Sequence, residues 1–191
     1  VLTDLVPLLV IARFGPAAGA VFFVVWMAGN AVDHATLSFA QSVTVRLAHE
    51  PERTWELFRI GCRKVAILFV PALVIGIAVA SPLLSIFGSD YAELGGNLLR
   101  LVLLGCIPRL LTTLVVALSM AHGRGVSVAV LEASSALGVV GFVALVPIGA
   151  LSTIGFGFVV VQLVVAVMAC GVMFLQFRSA GGFTGRIEAR A

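Results

Sequence analysis

The stretch "LGGNLLRLVLLGCIPRLLTTLVVALSM", residues 94–120, decides the fold of this chain. It is mainly apolar and longer than the roughly 20 residues that a helix needs to cross the hydrocarbon layer of a bilayer. Apolar and polar residues do not alternate along it, as they would in a strand of a membrane β-barrel. Because lipid offers the backbone no hydrogen-bond partners, a continuous run of this kind must be helical.

The composition of the whole chain agrees with a membrane location. Of 191 residues, 61% are hydrophobic and only 11% are charged, whereas soluble domains carry about 25% charged residues. Too few polar side chains remain to cover a water-exposed surface. The net charge is +3, but the basic residues form no patch interleaved with aromatics, so no nucleic-acid partner is predicted. The three cysteines are isolated in sequence and suggest neither a disulfide framework nor a zinc site.

Four further segments are apolar and long enough to cross a bilayer: residues 17–45, 63–87, 126–146 and 153–177. The apolar run 1–12 is too short for a span and is interpreted as the end of a truncated helix. We therefore predict an all-α fold, a polytopic membrane helix bundle of about six transmembrane helices. Residues 1–178 would form this helical lobe, and residues 179–191 would form a cytoplasmic C-terminal tail.

Basic residues alternate between the predicted connections. They mark connections 46–64 and 122–125 and the C-terminal tail, whereas connections 81–96 and 147–152 contain none. Only Arg13 falls on the opposite side. Since cytoplasmic connections are enriched in Lys and Arg, this pattern predicts a multi-pass protein of the cytoplasmic (inner) membrane with both termini in the cytoplasm.

The first complete span carries a polar face. At 100° per residue, four of its polar side chains fall within a sector of roughly 100°: Asn30, Asp33, His34 and Gln41. A helix cannot present such a face to lipid, so the face borders either a water-filled cavity or a packed hydrogen-bond network. His34 beside Asp33 is a candidate proton or cation site. No further ligand stands at metal-binding spacing, so no metal is predicted.

Arg109 is the second unusual feature, because it lies well inside an apolar span, directly after Pro108. Charge at the bilayer centre costs about 2.5 to 3.5 kcal/mol per residue, so such residues are suspected of a function. Glu132 is the only acid of the next, antiparallel span, and the two residues differ in depth by roughly 7 Å. Two hypotheses stay open: Arg109 forms an ion pair with Glu132, or it contacts an anionic substrate such as a phosphate.

Several motifs resemble those of a known family. They are "PLLSIFGSDYAELGGNLLRLVLLGCIPRLL" (82–111), "AHGRG" (121–125), "VPIGALSTIGFGFVVVQ" (146–162) and the opening "LVPLLVIARFGPAAGAVFFVVW" (5–26). Their order and spacing resemble the second half of polysaccharide flippases, members of the multidrug/oligosaccharidyl-lipid/polysaccharide exporter superfamily. The resemblance implies two six-helix lobes around a central cavity that move undecaprenyl-diphosphate-linked sugars to the outer leaflet by alternating access. It also implies that Arg109 matches a cavity arginine for the diphosphate.

The resemblance predicts that the chain is the C-terminal lobe of a lipid-linked oligosaccharide flippase. The expected substrate or ion cavity is lined by Asn30, Asp33, His34, Gln41, Arg109 and Glu132. The expected partners are the lipid bilayer, the lipid-diphosphate-linked sugar, and a missing N-terminal lobe or partner chain. No catalytic motif is present, so neither an enzyme nor a cofactor is predicted. The alternatives are a cation-coupled multidrug antiporter with Asp33 as its ion site, and a membrane fragment or subunit without transport of its own.

Two successive substitutions separate the two hypotheses for Arg109. Arg109→Ala is expected to lower transport, because either an ion pair or a substrate contact is lost. If Arg109 serves only to pair with Glu132, adding Glu132→Ala restores activity, since no unpaired charge remains. A transport assay on the single and double variants measures this, and failure of the second substitution to restore activity would favour the substrate contact.

Overall fold

The computed structural model describes residues 5–49, 53–145 and 151–188, with the side chains of residue 48 and of residues 176–188 left undescribed. Seven helices account for nearly all of this part of the chain, and it contains no strand. The helices are α1 (Val6–Phe14), α2 (Pro16–His49), α3 (Thr54–Ala78), α4 (Ala80–Ser85), α5 (Ser89–Ala121), α6 (Gly125–Leu145) and α7 (Leu151–Glu188).

Five of these helices, α2, α3, α5, α6 and α7, are long and apolar enough to cross a membrane. Helix α1 has nine residues and is therefore too short to span a bilayer by itself. The prediction of an all-α, polytopic membrane helix bundle is confirmed. Helix α7 continues to Glu188, so the predicted division into a lobe and a C-terminal tail after residue 178 stays a prediction.

Helix α5 is the centre of the bundle. In its most apolar stretch 67% of the residues are buried, against 33% or less in each of the other four long helices. It packs against α2, α3, α4, α6 and α7. Its inward positions are filled by Leu and Val side chains such as Leu98, Leu99 and Val115, which are almost completely buried. The fold-deciding stretch therefore forms the core rather than an outer helix.

The outward surface of α3 beyond Lys64 and that of α7 are mainly apolar. Ile67, Leu68 and Ile75 are more than half exposed on α3, and Val164 and Val167 are similarly exposed on α7. In water such surfaces would be unfavourable, but lipid chains solvate them. The distribution of exposed side chains is therefore that of a bundle surrounded by hydrocarbon.

Two predicted connections are shorter in the structure. Helix α3 begins at Thr54, so Arg59, Arg63 and Lys64 are helical, and the predicted connection 46–64 is wrong in extent. Long cationic side chains can extend to the membrane surface from the first turns of a helix, which makes a loop unnecessary. The predicted outer connection 81–96 is also largely helical, because α4 and the first turns of α5 occupy it. Most of the predicted connection 147–152 lies outside the described residues.

The predicted span 63–87 is interrupted near its end. Helix α3 ends at Ala78, and Val79, with φ −96° and ψ 12°, separates it from α4. Pro82 lies in the first turn of α4, where its missing N–H is tolerated but the helix hydrogen bond to the preceding turn is lost. Helix α4 packs against α5.

Arg13 has a structural role at the end of helix α6. Its Nη1 donates hydrogen bonds to the carbonyl oxygens of Val143 (2.6 Å) and Ala144 (2.9 Å). The last four carbonyls of a helix have no partner within the helix, and a nearby cation also complements the negative end of the helix dipole. This contact explains why one arginine lies on the side of the bundle where the charge pattern predicts none.

Small residues let α7 approach α5 closely. A Cβ atom built onto Gly155 would lie 2.8 Å from Cβ of Leu101, closer than two carbon atoms can pack. Without a hydrophobic driving force between helices in lipid, such close packing is a main source of helix association. A Cβ atom built onto Gly171 of the same helix would have open space around it.

We therefore expect Gly155→Val to lower the free energy of unfolding in detergent micelles by about 1–3 kcal/mol, because the added side chain must displace Leu101 and its backbone. The matched variant Gly171→Val introduces the same side chain in the same helix and should change the free energy of unfolding by less than about 0.5 kcal/mol. Equal losses in the two variants would contradict the packing of α7 on α5.

Candidate functional site

Arg109 of α5 forms an ion pair with Asp33 of α2 inside the bundle. The Nε atom of Arg109 lies 2.9 Å from Oδ1 and 2.7 Å from Oδ2 of Asp33. Only 18% of the Arg109 side chain and 33% of the Asp33 side chain is exposed. Burying the cation is costly, and a hydrogen-bonded carboxylate at this distance offsets much of the cost.

Helix α6 supplies two further partners of the same guanidinium. Nη1 of Arg109 donates a hydrogen bond to Oγ of Ser135 at 3.1 Å. Nη2 lies 3.6 Å from Oε2 of Glu132, within the distance of an ion pair, and Glu132 is 47% exposed. Glu132 and Ser135 are three residues apart and so share one face of α6. Arg109 therefore connects α2, α5 and α6 through one side chain.

Helix α7 joins this cluster through Gln162. Its Nε2 atom donates a hydrogen bond to Oγ of Ser135 at 3.1 Å, and the side chain is almost fully buried. Its Oε1 atom is buried and has no hydrogen-bond partner among the residues that the structure describes. A buried acceptor without a partner is costly, which is a reason to expect a water molecule or an ion beside it.

A small cavity lies beside these groups. It has a volume of about 40 Å³, which is enough for one or a few water molecules. Its polar lining consists of Asn30, Asp33, Arg109, Ser135 and Gln162. Trp26 and Phe158 form part of its apolar wall, with their ring centroids 5.8 Å apart in an edge-to-face arrangement. The cavity is thus a polar site inside an apolar bundle.

The structure divides the predicted site residues into two groups. Asn30 and Asp33 line the cavity, and Arg109 lies between Asp33 and Glu132. His34 and Gln41 are exposed on the outward surface of α2 instead. The polar sector of α2 is wide, and α5 contacts α2 at the edge of this sector that contains Asp33. His34 and Gln41 lie further round the helix and face away from α5.

Three features of the site were not predicted. The pairing of Asp33 with Arg109 joins α2 to α5, two helices that are not consecutive in sequence, and neither hypothesis for Arg109 contained it. Ser135 and Gln162 were not among the predicted site residues. The buried amide of Gln162 in an otherwise apolar stretch was the available signal, since an unpaired amide in lipid is costly.

Metal ligands are the next feature of the bundle. In ranges 5–49, 53–145 and 151–188, no group of three or more His, Cys, Asp or Glu side chains is placed to hold a metal ion. Cys106 is buried and lines the cavity, but as a single thiol. The cluster can therefore exchange protons, bind a monovalent cation through its carboxylates, or present a guanidinium to an anion.

The fold and the cluster together define an integral membrane helix bundle with a charged cluster beside a small polar cavity. No protein-family model, no curated protein and no solved structure matches the chain. The likeness to flippases therefore rests on the sequence motifs alone.

The two carboxylates that contact Arg109 should contribute unequally to stability. Asp33→Asn removes the carboxylate at 2.7 Å from a mostly buried guanidinium, so we expect the free energy of unfolding to fall by about 1–3 kcal/mol. Glu132→Gln removes a more distant and more exposed partner and should cost less than about 1 kcal/mol. Unfolding in detergent micelles measures both, and an equal or larger loss for Glu132→Gln would show that Glu132 is the main partner.

Proposed function

We propose that this chain is one lobe of an alternating-access transporter that flips lipid-diphosphate-linked oligosaccharides across the cytoplasmic membrane. One observation carries the proposal: two carboxylates share a single arginine beside a polar cavity, within a bundle that is otherwise apolar. Charged side chains inside a membrane are costly, and they characteristically mark the pathways of ions and substrates.

The outward surface of α2 supports a location beside a second lobe. His34 is exposed near the middle of this 34-residue helix, and Ser38 and Gln41 are exposed one and two turns further on, whereas the large exposed side chains of α3 beyond Lys64 and of α7 are apolar. Polar groups at this depth are unfavourable in contact with lipid chains. We infer that this surface of α2 borders a second lobe or the aqueous cavity between two lobes.

The arrangement of charges suggests how transport is coupled. With both carboxylates ionised, the cluster has one negative charge in excess, which opposes the approach of an anionic diphosphate. Protonation or cation binding at Asp33 would remove this excess negative charge and weaken the ion pair between Asp33 and Arg109. The guanidinium, whose planar fork suits phosphate oxygens, can then bind the diphosphate. Asp33 and the substrate would therefore compete for Arg109 during the cycle.

The identity of the substrate rests on the sequence motifs. The four stretches that resemble the second half of polysaccharide flippases predict a lipid carrier with a diphosphate and an oligosaccharide. The alternation of basic and non-basic connections favours a cytoplasmic position for both termini. In this orientation the lobe would receive its substrate from the inner leaflet.

The test is a flipping assay on the protein expressed from its whole gene and reconstituted in vesicles. A fluorescent lipid-diphosphate-linked oligosaccharide is the substrate, and a membrane-impermeant reductant reports the fraction in the outer leaflet. We expect Arg109→Gln to slow flipping by at least about tenfold, since a contact essential to coupling is worth 1–3 kcal/mol. The matched control Arg100→Gln alters an exposed arginine of the same helix and should stay within about twofold of the unaltered protein.

Equal effects of the two arginine substitutions would contradict a special role of Arg109. Absence of flipping by the unaltered protein would contradict the flippase proposal itself and favour a membrane subunit without transport.

A cation-coupled drug antiporter is the second candidate, because the carboxylates outnumber the arginine in the cluster. It predicts efflux of a cationic dye driven by a proton or sodium gradient, and loss of this efflux in Asp33→Asn. Dye efflux of this kind without oligosaccharide flipping would replace the flippase by the antiporter.

A further inference from the structure

We propose that a groove between the end of α2 and the beginning of α3 binds an anionic glycerophospholipid, with its phosphate between Arg46 and Lys64. The groove is separate from the cluster around Arg109 and has a volume of about 130 Å³. This inference does not rest on the proposed transport function, because it concerns a surface that any membrane bundle of this shape would expose to lipid.

The walls of the groove are apolar. Phe39 and Val43 of α2 face Leu57 and Ile60 of α3 across it. Gly61 of α3 packs against Val43 of α2, where an added Cβ would contact both Cγ atoms of Val43 at 3.4 Å. An acyl chain can lie in the groove against these walls, since burial of each CH₂ group contributes about 0.8 kcal/mol.

Two basic side chains stand at this groove. Arg46 and Lys64 line it and are exposed, and neither forms an ion pair with another described residue. The nearest described acid on α3 is Glu56, whose carboxylate is held by Arg53 through hydrogen bonds of 3.0 and 2.9 Å. Among the described residues, therefore, no carboxylate occupies either cation, and both can bind an external anion.

The depth of the groove favours a lipid over a soluble anion. Lys64 lies about 15 Å along the helix axis from Thr54, at 1.5 Å per residue. The exposed residues that follow it, Ile67 and Leu68, belong to the lipid-facing surface. A molecule that carries both a phosphate and an acyl chain matches the cations and the walls together, whereas a soluble phosphate matches only the cations. Basic pockets between transmembrane helices are known sites for anionic headgroups.

A second pair of cations on α3 provides a matched control. Arg59 and Arg63 are exposed and lie, with Trp55, on a neighbouring surface of the same helix end. They do not line the groove, but they contribute to the positive potential at the same side of the bundle. Replacing them changes the net charge by the same amount as replacing Arg46 and Lys64.

The experiment is native mass spectrometry of the protein released from detergent with defined phospholipids. Phosphatidylglycerol and phosphatidylcholine with identical acyl chains are the probes, and the ratio of their dissociation constants is the measured selectivity. We expect the unaltered protein to prefer phosphatidylglycerol. In the double variant R46Q/K64Q this selectivity should fall at least about tenfold, because each cation near a phosphate favours binding several-fold. The double variant R59Q/R63Q should lose less than about threefold.

Each other outcome would overturn the proposal. Equal losses in the two double variants would indicate a diffuse positive potential instead of a built site. Unchanged selectivity in R46Q/K64Q would show that the lipid binds elsewhere. Displacement of the bound lipid by soluble glycerol phosphate at millimolar concentration would show that the groove recognises a free anion. Circular dichroism of both variants confirms that helix content is retained.

Discussion

The rest of this structure depends on how the charge of Arg109 is held inside an apolar bundle. One guanidinium bonds Asp33 of α2 and Ser135 of α6, and it lies within ion-pair distance of Glu132. Gln162 of α7 extends the contacts through Ser135. Since α5 is the buried centre of the bundle, its arginine reaches acids on two of the helices packed around it, α2 and α6. The position of three outer helices is therefore tied to one side chain.

The same arrangement would link stability to the proposed function. Arg109 is stable where it is only while carboxylates balance it, yet those carboxylates are partly exposed. A membrane protein built for stability alone would place leucine at this position, because buried ion pairs seldom exceed the stability of apolar packing. Retaining the charges makes sense if their exchange of partners changes the conformation, which is what alternating access requires.

The fold was predictable from the sequence to a greater extent than the site. Length and apolarity fixed the five spans, because lipid leaves the backbone no alternative to the helix. Helix ends were less predictable, since Lys64 can reach the membrane surface from inside a helix, and α3 begins nine residues earlier than the predicted span 63–87. The pairing of Asp33 with Arg109 depends on which non-consecutive helices touch, and one sequence contains no information on that contact.

The central claim is that Asp33 and Arg109 stabilise the bundle through each other. A double-mutant cycle on unfolding in detergent, with Asp33→Asn, Arg109→Gln and the double variant, measures their coupling directly. The structure predicts a coupling free energy of about 1–3 kcal/mol, as expected for charged groups in direct contact. Additivity of the two substitutions within about 0.3 kcal/mol would contradict the contact and, with it, the role of Arg109 as the connection between helices.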